Sequence, residues 1–168
     1  MSKEAVKTLE ANRMVVGRLV EEVIGGGRVE LLPSLVDEDH VAHLPLGDHY
    51  GPEGLRIDTE GWRVAFPDLT VVLEDLVAEN DRVVRRFVLQ GTHLGPSLGI
   101  APTGRQARVG GIAIDRLAKG RLVESWVMVD LFGLARQLGS AMPTGATRPG
   151  EGPSAAENRP GNVWTVPS

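Results

Sequence analysis

Two periods divide this chain of 168 residues. As far as Ala65, apolar residues recur every three or four positions, the spacing of helices that bury one face. Ala5, Leu9, Val16, Val20, Val23 and Ile24 predict one long helix over Lys3–Ile24, with Ser2 as its N-cap and Gly25-Gly26-Gly27 as its stop. Val29–Val36 predicts a short second helix. Val41–His43 reads as a short strand or extended piece, followed by a loop rich in Gly, Pro, Asp and His as far as Gly51. Pro52 then opens a helix that runs to about Ala65.

Beyond Phe66-Pro-Asp-Leu69 the period falls to two. Strands are predicted over Leu69–Ala78, Arg82–His93, Gln106–Leu117 and Arg121–Asp130, with turns at Glu79–Asp81 and Ala118–Gly120. A Gly- and Pro-rich loop separates the middle pair, and Leu131–Leu138 reads as a closing helix ended by Gly139. Helices first and a four-stranded antiparallel meander afterwards is an α+β order. One curved sheet wrapped around the early helices makes a cone with an internal pocket.

The last strand carries the leading candidate for chemistry. Its apolar, β-branched run predicts burial on both faces, and alternation puts Leu122, Glu124, Trp126, Met128 and Asp130 on one side. A carboxylate beside Trp and Met must lie near an edge, be paired or line a cavity, because a bare buried charge is costly. In a cavity its pKa rises toward what a general base requires. The bland reading of Asp130 is a cap on the closing helix, for which Asp is favoured.

Composition narrows the classes. The net charge of −4 is mild and the basic residues are scattered, so no nucleic-acid partner is expected. With no cysteine there is no disulfide framework, thiolate metal site or cysteine nucleophile. The start is charged and amphipathic, and no apolar run is long enough to cross a bilayer, so a cytoplasmic protein with no membrane partner is expected. The folded domain is expected to occupy residues 1–139. A flexible Pro- and Gly-rich tail is expected over 140–168, with Val163, Trp164 and Val166 as an apolar end that docks on the body.

Ala65-Phe-Pro-Asp-Leu69, Asp81-Arg-Val-Val-Arg-Arg86, Gly91-Thr-His93, Gly99-Ile-Ala-Pro-Thr-Gly-Arg105, Gly120-Arg-Leu-Val-Glu-Ser-Trp126, and Asp130 with Gln137-Leu-Gly139 follow in order. In that order and spacing the chain resembles the SnoaL-like polyketide cyclases, over roughly Ala11 to Gly139. The resemblance implies a nuclear transport factor 2-like (cystatin-like) cone, with N-terminal helices packed in a curved antiparallel sheet. It also implies a cofactor-independent cyclase that closes a ring of a polyketide-like intermediate by aldol chemistry. Relatives of the same fold include cofactor-free hydroxylases, epoxide-opening enzymes and non-catalytic binding domains, and these stand as alternatives.

On the resemblance, Asp130 would be the acid/base and His43 would donate to a substrate carbonyl or orient a carboxylate; the alternative for His43 is a satisfied core histidine. Arg86 and Gln90 share a strand face and would bind substrate oxygens if that face is inward, or be solvated if it is outward. Trp62, Phe66, Phe87, Trp126, Met128 and Phe132 would wall an aromatic-substrate pocket, or be ordinary core. Glu124 is expected to pair with Arg86 or Arg116. Asp115 and Arg116 face opposite ways on their strand, which weakens an epoxide-opening pair. Lys3, Lys7 and Lys119 lie away from pocket strands, so no Schiff base is expected. His40, His43 and His49 are broken up by Pro45 and Gly47, so no metal site or other cofactor is expected. The two-sided apolar character of Val83–Leu89 and Val123–Val129 predicts a homodimer or an assembly of dimers.

Overall fold

The computed structural model describes residues 2–140. The expected tail beyond Ser140, with its docked end, lies outside the described residues. Helix α1 spans Lys3–Arg18 and continues through a wider π-turn segment, Leu19–Gly25. The Ser2 side chain accepts from the Ala5 N–H at 3.2 Å, as an N-cap does. Val16, Leu19, Val20 and Val23 form the buried stripe, spaced three and four apart. Gly27, at φ +71°, ends the helix, and Arg63 donates to the Gly25 carbonyl at 2.9 Å. A Cβ at position 27 would lie 2.8 Å from Arg63 Nε, so this stop needs glycine.

The predicted second helix is shorter than expected: a 3₁₀ turn over Val29–Leu31 and one α-helical turn, α2, over Leu32–Leu35. Strand β1 then begins at once and runs Val36–Leu44, far longer than the piece expected at Val41–His43. The following loop contains β2, Gly47–Tyr50, and α3 spans Gly51–Ala65. Strands β3 (Thr70–Glu79), β4 (Arg82–Thr92), β5 (Gln106–Ala118) and β6 (Arg121–Val129) form the predicted meander, closed by α4 (Leu131–Gln137).

Among the described residues the sheet has six strands in the order β2-β1-β6-β5-β4-β3. The added pair is joined to β6 by the only parallel pairing, β1 with β6. A parallel partner far away in sequence leaves no hairpin signal, which is why the meander alone was legible. The helices cover one face of this curved sheet, and the fold is the α+β cone expected. Its main core joins Ala65, Phe66 and Leu69 to Phe87, Leu89, Val109, Val127 and Leu134. At Gly111 on β5 a Cβ would lie 2.5 Å from the Phe87 ring, so its absence admits that ring to the core.

Candidate active site

Helix α3 and the sheet diverge at one end of the cone and leave a cavity of about 270 Å³. Helical spacing turns Ile57, Asp58, Gly61, Trp62 and Ala65 toward it. Leu44, Pro45, Leu46, Gly47 and His49 form the wall from β1 and β2, with Ser97 and Leu98 from the long loop and Val129 and Leu131 across the mouth. The long loop is tied down: Leu94 and Gly95 donate to the Ala65 carbonyl at 3.0 and 3.1 Å. At its other end His93 Nδ1 lies 3.1 Å from the Thr103 hydroxyl and 3.3 Å from the Thr103 N–H, which fastens a strand end to the loop.

A smaller inner chamber of about 60 Å³ continues toward the sheet and shares Leu44, Asp58, Trp62 and Val129 with the cavity. Its walls are mostly apolar, from Leu19, Ile24, Leu55, Phe87, Leu89 and Val127, and its polar side chains are Asp58, Thr59, Arg85 and Ser125. Behind it runs a buried chain of polar groups. Arg85 Nε donates to Asp115 Oδ2 at 2.7 Å and Nη2 to Oδ1 at 3.4 Å. The Ser125 hydroxyl donates to Asp115 Oδ1 at 2.7 Å, so His40 must donate to Ser125 Oγ from Nε2, at 3.0 Å. Burial pushes the His40 pKa down to about 4, so the ring is neutral at pH 7.

Asp58 stands where the two spaces meet. Its carboxyl accepts no hydrogen bond among the described residues, and burial raises its pKa, opposed by His49 and Arg85. A half-buried carboxyl in apolar surroundings holds its proton more readily than a solvated one.

The residues predicted from sequence are split between two faces. Trp62 lines both spaces, and Phe66 packs beneath it with ring centroids 5.9 Å apart. Phe87 lines the chamber, as expected. Asp130, by contrast, caps α4: its side chain accepts from the Gly133 N–H at 2.7 Å, is exposed, and does not line the cavity that its neighbours Val129 and Leu131 help to close. The predicted strand ends one residue early, and a cap must point at the helix it caps.

Arg86 and Gln90 lie on the outer face, exposed, where Arg86 pairs with Asp75 at 2.6 Å and with Glu74. Trp126 and Met128 are also outside and exposed, so β6 is not buried on both faces within this chain. A register shift between Arg116 and Leu117 sends Leu122 inward while Glu124 stays out, which breaks the predicted one-sided row. Phe132 is exposed on α4.

His43 joins the outer set: its ring bridges Asp48 at 3.1 Å and Glu124 at 3.2 Å and stacks on Trp126, and those bonds, Glu124's first, raise its pKa. Glu124 pairs with Arg116 at 2.8 Å, one of the two partners expected. Asp115 and Arg116 do face opposite ways, but Arg85 on the next strand supplies the inward arginine. His40, His43 and His49 lie respectively behind the chamber, on the outer face and at the cavity.

Sequence reasoning missed Asp58, Arg85 and His49. The signals existed: Asp58 precedes Trp62 by one helical turn, and Arg85 alternates with Val83, Phe87 and Leu89 on the more apolar side of β4.

The comparisons with known proteins agree with this architecture. The family model described as SnoaL-like polyketide cyclase matches residues 14–138. The nogalonic acid methyl ester cyclase of Streptomyces nogalater is 28% identical over 121 residues, covering 70% of this chain and 90% of that protein. Among solved structures, TsrD from Streptomyces laurentii is 29% identical with a TM-score of 0.70, covering 84% of this chain and 99% of that one. IdmH from Streptomyces antibioticus is 31% identical with a TM-score of 0.68, covering 76% of this chain and 98% of that one. With most of its length matched by one family model and its cone shared with these structures, the chain belongs to the SnoaL-like polyketide cyclase family.

Proposed function

We propose that this protein closes a ring in a polyketide-like intermediate by an intramolecular aldol reaction, without a cofactor, in the cavity described above. Asp58 is the acid/base. Its carboxylate takes a proton from the carbon between two substrate carbonyls, and the enolate attacks a second carbonyl carbon to form the new C–C bond. The alkoxide produced then takes the proton back from Asp58, so nothing else is consumed. Trp62 and the apolar walls hold the substrate near attack geometry and exclude water. The observation that supports this reading is the unbonded Asp58 carboxyl, raised in pKa by burial, facing an apolar cavity.

Asp130 is the rival carboxylate, the one that matches the family position, and a pair of variants separates the two. With nogalonic acid methyl ester as the first substrate tried, Asp58→Asn should lower kcat by about 10²- to 10⁴-fold, the range for loss of a general acid/base. Asp130→Asn should stay within about threefold of wild type, since an Asn cap is nearly as good as Asp. A wild-type rate in Asp58→Asn, with the loss in Asp130→Asn instead, would sink the assignment.

Arg85 favours one second reading, epoxide opening, because it puts an arginine at the same inner chamber as Asp58. Consumption of styrene oxide, abolished in Asp58→Asn, would select it over the aldol reaction. The protein is also proposed to pair through its outer sheet face, where Val84, Ile112, Ile114, Trp126 and Met128 are exposed together.

A further inference from the structure

We infer that the inner chamber is an oxyanion subsite, with Arg85 as its ligand, for a substrate whose inward end is a carboxylate or the enolic oxygen of a β-dicarbonyl. This rests on the cavity being the reaction site proposed above, and it specifies what part of the substrate enters deepest.

Four observations carry it. Arg85 is 4% exposed and spends two of its five N–H donors on Asp115, with its guanidinium 5.2 Å from the Phe87 ring centroid; among the described residues the other three donors make no hydrogen bond. Arg85 lines the chamber, so an acceptor placed in that space can take up the donors Asp115 leaves free. Asp115 is fully engaged and buried, so it fixes the guanidinium's plane; its Oδ1 is held in turn by Ser125, and Ser125 by the neutral ring of His40.

The chamber's volume, about 60 Å³, admits a group of a few non-hydrogen atoms but not a ring, whereas the cavity outside it has room for one. Finally, a buried ion pair seldom adds net stability over an apolar pair of similar size, so its retention beside a void calls for another reason. A guanidinium fork recognises a carboxylate or a delocalised enolate by paired N–H···O bonds, and a lysine there could not reproduce the geometry. In the ring closure such a contact would hold the enolate oxygen while Asp58, at the chamber's mouth, handles the proton.

The test is a binding measurement that needs no turnover. 1-Naphthoate and its neutral isostere 1-naphthamide are titrated into the full chain by calorimetry at pH 7. Wild type should bind the carboxylate at least tenfold more tightly than the amide. Arg85→Met combined with Asp115→Leu, which leaves no orphaned charge, should bring that ratio to about one while amide affinity changes less than threefold. Arg85→Lys should keep only part of the preference, and Arg86→Met, one residue along on the outer face, should keep all of it. Asp58→Asn should also keep it, so loss of turnover and loss of anion preference report on separate claims. Equal affinities in wild type, or a preference that survives in the double variant or disappears with Arg86, would overturn the inference.

Discussion

Arg85 and Arg86 are neighbours on one strand, both arginines, both paired with carboxylates, and they lie in opposite surroundings. Arg85 meets Asp115 on the inner face, where both side chains are almost fully buried; Arg86 meets Asp75 and Glu74 on the outer face, half exposed. On the outer face water screens each pair, which limits it to about 0–1 kcal/mol. On the inner face the same chemistry is locked in a low-dielectric site, where removing one partner strands the other. The carboxyls repeat the contrast. Asp58 faces an apolar cavity unbonded, whereas Asp130 spends its lone pairs on a helix terminus. Residue type names what a group can do; the side of the sheet decides what it does.

The sharpest way to break the comparison is to delete one acid on each face. Asp115→Ala should cost about 3–5 kcal/mol in urea unfolding, because Arg85 is left buried and unpaired, while Glu124→Ala on the outer face should cost about 1 kcal/mol or less. Equal losses would show that the inner pair is solvated and that the chamber is not the dry site described.

The two histidines give the next effect, with opposite signs. His40 has a folded pKa of about 4 against 6.5 unfolded, so the folded state resists the proton that the unfolded state takes up. Stability is therefore lost as pH falls from 6.5 toward 4, by about 3 kcal/mol in all, and His40→Gln should flatten that acid limb. His43 has a raised pKa, so its contribution is present below 6.5 and lost as pH rises through its folded value. His43→Gln should accordingly steepen the acid loss slightly. Matching pH profiles for the two variants would refute the assignment of opposite environments.

A charge on the outer face tests what covers it. Ile112→Lys should weaken self-association at least tenfold by sedimentation while leaving kcat within about twofold, because no outer-face side chain reaches the cavity. A wild-type chain that sediments as a monomer at micromolar concentration would remove the proposed pairing. The smallest effect is expected at the helix cap, where Asp130→Ala should cost about 1 kcal/mol.

The helix termini, the meander and the family motifs were legible because each is a local signal. Ser2 before a helical stripe, glycine after it, and alternation between turn residues act over a few positions. The candidate site was half legible. Trp62 follows from the apolar stripe of α3, and Asp130 caps α4, the alternative to its catalytic reading. Its catalytic form failed to find a cavity because β6 stops at Val129 and the side chain turns to Gly133. Arg86, Gln90, Trp126 and Met128 failed together, since a period of two identifies two faces without saying which one the helices cover.

By itself, then, the sequence determined the α+β order, the family and the boundaries of most elements, and narrowed the partner of Glu124 to Arg86 or Arg116. Tertiary structure alone decided that β1 would join β6 in parallel, that a register shift would part Leu122 from Glu124, and that Arg85 instead of Arg86 would meet Asp115 beneath the helices. The reason is the range of the forces involved. Backbone propensity and capping act within a turn or two, but the dielectric around a carboxyl depends on which distant element closes over it. Asp58 became an acid/base candidate only when residues from five other segments of the chain enclosed it.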